Sequence, residues 1–370
     1  MVKYFLVLAA LALPLGWHYR DSFTYRDAPM TVFQKRGVVF YDRWRSSSEP
    51  LVLMHYLSRH GCEFFDRTGA PQGHLSWSLC LPTPEGTVAI AEKNLLFFET
   101  TGELRWDLPA SVHHDLDADV GRGELIAAER SFQSQGGQRI KVDAVSIYTF
   151  AGDRIFHWIA NDWLKALAQI LDRELPLQKV EEMDFYEYTH INGVQIVPST
   201  PLKDKLEAFR PGNVLVSLNT NGLVILDRDS GSPIWVFKIS ETYRKQFHSP
   251  RILPNGNILL LVNEDELRPG HSSLIEIDPQ TNEILWSYRA REPGKFSHER
   301  FGSVFRLANG NTLVTHVTQG GAAFEVTASG RLVWEWINPE SDPSGRPLDV
   351  YRLAPTSTEV LLKNNFIQMR

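Results

Sequence analysis

Residues 247–264, FHSPRILPNGNILLLVNE, and residues 274–286, LIEIDPQTNEILW, decide the fold. A short apolar strand carries His248 near its start, and a Pro-Asn-Gly-Asn turn at 254–257 reverses it. A second strand follows, then a third that ends in Asp278. A Pro-Gln-Thr-Asn turn leads to a fourth strand closing on Trp286. Turn residues between β-rich runs at this spacing predict an up-and-down, four-stranded antiparallel sheet.

The outer hairpin of that sheet recurs along the chain. Phe65–Gly69 leads to Trp77, Phe98–Gly102 to Trp106 and Tyr148–Gly152 to Trp158. Leu226–Gly231 leads to Trp235, Ile277–Asp278 to Trp286 and Glu325–Gly330 to Trp334. One such unit cannot bury both faces alone, so repetition predicts stacked sheets sharing a continuous core. Six hairpins in units of roughly 40–50 residues predict an all-β, six-bladed β-propeller. The first unit lacks an inner strand, and Val350–Leu353 and Glu359–Leu362 lack a hairpin of their own. The C-terminal strands are therefore expected to join the first blade and close the ring, removing exposed edges.

The propeller is expected over 37–366, with Asn161–Arg173 as a helical insertion. Trp163, Leu164, Leu167, Ile170 and Leu171 recur there at helical spacing, with Asp162 as the expected N-cap. The insertion is expected to run to about 187, through the acidic stretch Glu181–Glu187. Its plain role is to cover apolar surface; a lid or partner surface is the sharper one. Ser131–Gln138 reads as a polar loop that need not pack.

At the N-terminus, Lys3 precedes an apolar run from Tyr4 to Leu15 that is short for a membrane span and fits a secretory leader. Residues 1–18 are expected to be a signal peptide or an uncleaved membrane anchor, and 19–36 an irregular lead-in. The chain is then exported, to the periplasm or to a membrane facing it. Cys62 and Cys80 are the only cysteines and lie in neighbouring units. In an oxidising compartment they are expected to pair; two buried thiols are the alternative. With 38 basic against 44 acidic residues and no basic stripe, nucleic acid is not an expected partner.

Three inner strands begin with a histidine: His114, His190 and His248. His114 and His248 stand nine residues before the matching turn positions, Gly123 and Asn257. His190 sits beside Asn192 in nearly the same register, and Gly302 holds that register in the sixth unit. Matching positions converge on the axis of a propeller, so these imidazoles are expected at one mouth of the channel. Converging imidazoles admit three readings: group transfer, a zinc site with an open position, or channel histidines without chemistry.

The runs HHDLD, THINGVQIVP, FHSPRILPNGNILLLVNE, LIEIDPQTNEILW and GSVFRLANGNTLVTHVTQGGAAFEVTASGRLVWEW resemble the arylsulfate sulfotransferase family of bacterial six-bladed propellers. The ordered set of HHD, T-H-I-N and a third histidine before LPNGN carries the resemblance. It implies transfer of a sulfo group from a phenolic sulfate to a phenol through a sulfohistidine, with no cofactor and no metal. His248 would be the nucleophile, and His114 and His190 would bind the sulfonate and protonate the departing phenolate. Where the family has an arginine after the V-S-S run, this chain reads Val216-Ser217-Leu218-Asn219. Asn219 and Asn192 would contact the substrate, with Arg130 or Arg300 as candidate sources of the missing charge. The alternative is a propeller without catalysis that binds a ligand or an envelope protein. A quinone-cofactor dehydrogenase is a third class, for which neither a calcium-ligating carboxylate cluster nor a tryptophan-docking signature is visible.

Overall fold

Six antiparallel sheets, each with a core of four strands, follow one another along the chain in a computed structural model of the protein, forming a six-bladed β-propeller. The structure describes residues 37–55, 62–75, 79–91, 93–180, 183–219, 222–237, 246–263, 271–290, 296–297, 301–316, 321–340 and 350–364. The leader, the lead-in and Arg300 lie outside the described residues.

The ring closes as the missing inner strand requires. Val350–Pro355 pairs antiparallel with Leu51–His55, placing Leu353 opposite Leu53, and is the inner strand of the first blade. Gly37–Tyr41 does not join that blade. It pairs with Leu332–Ile337 as a fifth, outermost strand of the sixth blade, so both ends of the chain tie the first and last blades together. Among the described residues only one C-terminal strand joins that blade. Glu359–Leu362, expected as a second, is instead part of the short helix Thr358–Lys363. That helix is capped by Ser357 and ends on Asn364, whose side-chain amide bridges Thr83 and Thr87 of the second blade.

Each blade buries both faces, and the described core divides into six apolar clusters, one between each pair of neighbouring blades. Tryptophan recurs for a second reason besides its area. Trp106 Nε1 donates to the Phe150 carbonyl, Trp158 to Gly231 and Trp235 to Pro279. Trp286 donates to Ala328 and Trp334 to Arg67. Every acceptor lies in the outer hairpin turn of the next blade, so the indole both fills the interface and satisfies a turn carbonyl. Cys62 and Cys80 are disulfide-bonded and join the second strand of Leu51–Leu75 to the inner strand of the second blade, Leu79–Thr83.

The helical insertion is shorter than its expected span. A 3-10 turn at Ala160–Trp163 runs into a helix at Leu164–Leu171, and Leu167 and Leu171 pack between the third and fourth blades. Asp162 does not cap it: it lies inside the 3-10 turn, and the residue before the helix is Trp163. The end of the acidic stretch, Phe185–Glu187, becomes strand instead. It pairs antiparallel with Gln178–Val180 and parallel with Ile140–Lys141. The polar segment 131–138 is likewise not a loop: Glu124–Gln135 and Gln138–Thr149 pair continuously, and the turn is only Gly136–Gly137, both at positive φ. Residues 131–139 are all exposed along this projecting ribbon, a run that composition alone reads as loop.

Candidate active site

The inner strands of the third, fourth and fifth blades, Val112–Asp119, Ile191–Ile196 and Phe247–Ile252, each break register beside a histidine. In the third the break leaves His113, His114 and Asp115 opposite Ala128; in the fourth it falls at Asn192, and in the fifth at Ser249 and Pro250. Bulges of this kind re-aim side chains that strict alternation would send to opposite faces. Six described non-glycine residues have positive φ, and four of them (His114, Asn219, Ser249 and Phe301) lie at or beside one cavity. Such conformations cost energy and persist where the surrounding structure imposes them, which is common at functional sites. Gly193 is required by a close approach: a Cβ there would stand 2.4 Å from Pro250 Cδ.

The cavity has about 290 Å³ of empty space, including its open mouth. Its walls include His114, His248, Asn192, Ser249, Phe301, Gly302, Tyr351 and Arg352. The three histidines expected to meet do meet. His114 Nε2 is 2.8 Å from His190 Nε2, and the His114 and His248 rings are 6.2 Å apart, edge to face. The glycine register of the sixth blade, Gly302, forms wall as anticipated.

His248 is 4% exposed, and its Nδ1 lies 2.7 Å from Asn263 Oδ1. The Asn263 amide is oriented by its other end, where Nδ2 donates to the Phe301 carbonyl at 2.8 Å. The oxygen therefore faces the ring, His248 carries its proton on Nδ1, and Nε2 keeps its lone pair. Burial lowers the His248 pKa to about 4, against the opposing pull of the Asn263 hydrogen bond, so the ring is neutral near pH 7. Burial, joined by neighbouring imidazoles and Lys141, also holds His113 and His114 well below the ordinary histidine range.

Behind His190 sits a charged support. Its Nδ1 lies 2.8 Å from Glu187 Oε1 and 3.2 Å from Lys141 Nζ. The fully buried Lys141 pairs with Glu187 at 2.7 Å and with Asp143 at 3.1 Å. Burial raises the Glu187 carboxyl, but His190 and Lys141 outweigh it and hold the group below its ordinary range. The strand Phe185–Glu187, carried by the insertion, is what delivers this carboxylate.

The amides behave differently from the expected arginine. Asn192 is in the cavity wall and donates from Nδ2 to Asn219 Oδ1 at 3.3 Å, so Asn219 stands one residue back. Arg130 is not in the wall; its guanidinium lies 5.9 Å from the Phe132 ring, and its charge bears on His113. The guanidinium that does reach the wall is Arg352, on the closing strand. It donates to Asp115 Oδ1 at 2.7 Å and to the Leu116 carbonyl at 3.1 Å. Asp115 also accepts from Arg251 and from the Val194 amide, tying four blades together under the cavity. Burial opposes ionisation of Asp115, and the two arginines more than offset it.

His113, Lys141, Glu187, Asn263, Tyr351 and Arg352 were not singled out by sequence. The doubled histidine of HHD and the asparagine within VNE were the available signals. His157 and His271 lie away from the cavity: His157 Nδ1 meets Ser146 Oγ at 2.8 Å, and His271 is buried.

Among solved structures, the chain is similar to a protein of unknown function from Bacteroides caccae. The two share 12% identity over 84% of this chain and 99% of that one, with a TM-score of 0.49. It is also similar to the WD40 domain of Pan2 from Neurospora crassa, at 10% identity over 84% of this chain and 80% of that one, with a TM-score of 0.42. No curated protein matches the sequence. The family described as arylsulfotransferase (ASST) matches residues 127–339, which include His190, His248 and their supporting strands. Spanning more than half of the 370 residues, that match makes the chain a member of the arylsulfotransferase family.

Proposed function

We propose that the protein moves a sulfo group from a phenolic sulfate ester to a phenol through a sulfated His248. The observation that carries this reading is the Asn263–His248 hydrogen bond, which leaves an unprotonated Nε2 on a neutral ring at the cavity wall. Nε2 attacks sulfur, the bond from sulfur to the phenolic oxygen breaks, and the phenolate leaves with a proton from the His114–His190 pair. The two Nε2 atoms at 2.8 Å share one proton, and opening that hydrogen bond releases it to the leaving oxygen. In the second half, an acceptor phenol returns its proton to the pair and its oxygen takes the sulfo group, breaking the nitrogen–sulfur bond.

Charge on the sulfonate oxygens needs fixed donors. The Asn192 amide, backed by Asn219, and the Arg352 guanidinium are donors in the cavity wall; Arg130 is not in that wall, and Arg300 lies outside the described residues. The disulfide and the apolar leader at 1–18 support export to an oxidising compartment, with the periplasm or a membrane anchor facing it as the setting. Asn219 in place of a charged residue favours a second reading, a non-catalytic propeller that binds a ligand or an envelope protein. Incubation with p-nitrophenyl sulfate and a phenol separates the two. The transferase reading expects parallel-line ping-pong kinetics abolished by His248→Ala; absence of nitrophenolate release from folded wild-type protein supports the scaffold.

A further inference from the structure

His113 has no part in the transfer just described, yet the backbone is bent to bring it in. Consecutive residues of a strand normally face opposite ways. Here the bulge opposite Ala128 and the positive φ of 66° at His114 put both rings on one side, with centroids 3.8 Å apart. The His113 ring is also 5.6 Å from that of His190. One ring nitrogen from each of His113, His114 and His190 lies within 4.8 Å of the others. His113 Nδ1 is buried and has no hydrogen-bond partner among the described residues.

We infer that His113, His114 and His190 form a binding site for a divalent transition metal of the imidazole-preferring class, with zinc as the representative ion. Three neutral imidazoles and one open position for water or a small anion are a common zinc donor set. Bonds of about 2.0 Å to tetrahedral zinc put ligand nitrogens roughly 3.3 Å apart. The His114–His190 pair, now 2.8 Å apart around a shared proton, opens slightly as the ion takes that proton's place. His113 closes by ring rotation. Glu187 on the far nitrogen of His190 supplies the carboxylate that orients a metal-bound imidazole and raises its basicity. The positive charge of Lys141 is more than matched by Glu187 and Asp143. The histidine set differs from the one that repeat register selects: His248 is held by Asn263 and lies outside this group.

Two of its ligands are the pair that donates the proton in the transfer, so zinc and that proton exclude one another. The test is still separate from the transferase reading, because metal binding is measured without any sulfate ester. Untagged protein stripped with a chelator and dialysed is titrated with zinc chloride at pH 7.5 by calorimetry. One equivalent of zinc is expected to bind at micromolar concentration or below. His113→Ala is expected to weaken binding at least tenfold, His248→Ala to leave it unchanged. His113→Gln serves as the second variant should His113→Ala lose its circular-dichroism spectrum. Wild-type protein that shows no saturable zinc binding overturns the inference, as does affinity that survives unchanged in a folded His113 variant.

Discussion

At the scale of residues, the site divides into side chains that repeat register selects and side chains that only a bent backbone recruits. His114, His190 and His248 were visible because equivalent blade positions converge. Asn263 and Glu187 were not, because their partners are set by bulges and by an inserted strand rather than by spacing. Lys141 reads as an ordinary polar strand residue, and nothing local announces that two carboxylates bury it. The arginine expected near Asn219 shows the same limit in reverse: sequence marks its loss, but only ring closure brings Arg352 to the wall. Glu187 gives a prediction of its own. Glu187→Gln removes the anion behind His190, so proton delivery to the leaving phenolate weakens. Turnover of phenyl sulfate, whose leaving group is the stronger base, is expected to fall about 10²-fold, and turnover of p-nitrophenyl sulfate much less. Comparing kcat/KM for the two donors checks this, and an equal loss for both would assign Glu187 a purely structural role.

At the scale of elements, blades are joined by recurring devices whose contributions can be measured one at a time. Trp334 is fully buried and its Nε1 donates to Arg67 O, whereas the half-buried Trp286 makes the equivalent bond where it is exposed. Trp334→Phe is expected to cost about 2 kcal/mol through the unpaired carbonyl and lost volume, and Trp286→Phe clearly less, by urea unfolding. A second device is Glu124, which takes a two-pronged bond from Arg228 of the next blade and a third from Arg122. Burial raises its carboxyl, and Arg228, then Arg122, pull it below the ordinary value of 4.5. A depressed folded pKa stabilises above the unfolded value and is lost as pH falls through the folded one. Wild-type protein is therefore expected to exceed Glu124→Gln by about 2 kcal/mol at pH 7, with the gap narrowing below pH 4.5. A gap that is constant with pH would show that the charge is not what matters. The helix and the 178–187 strands were the least legible elements. Periodicity located Leu164–Leu171, but a three-residue strand such as Phe185–Glu187 depends on the edge of the projecting ribbon, which local sequence does not reveal.

At the scale of the molecule, the ring was the most legible feature, since six hairpins and an incomplete first unit require a returning strand. The location of Gly37–Tyr41 on the last blade was not, because an apolar strand can complete either neighbouring edge. Closure rests on Val350–Pro355, the C-terminal helix and the Cys62–Cys80 bond between the first two blades. With a sequence separation of 18 between its cysteines, the disulfide is expected to stabilise by about 3 kcal/mol through loop entropy. Reduction should lower the urea midpoint accordingly, and Cys62→Ala with Cys80→Ala should be insensitive to reductant. The same closure brings Tyr351 and Arg352 against the histidines of three other blades, where the Tyr351 hydroxyl donates to the His114 carbonyl. That convergence matters only if His248 is the group that carries the sulfo moiety. The direct measurement is brief incubation with p-nitrophenyl sulfate, without acceptor, followed by peptide mass spectrometry under conditions that preserve nitrogen–sulfur bonds. The account predicts one sulfo group on the peptide containing His248 and none in His248→Ala. Nitrophenolate release with the adduct on another residue, or with no adduct trapped at any time, would contradict it.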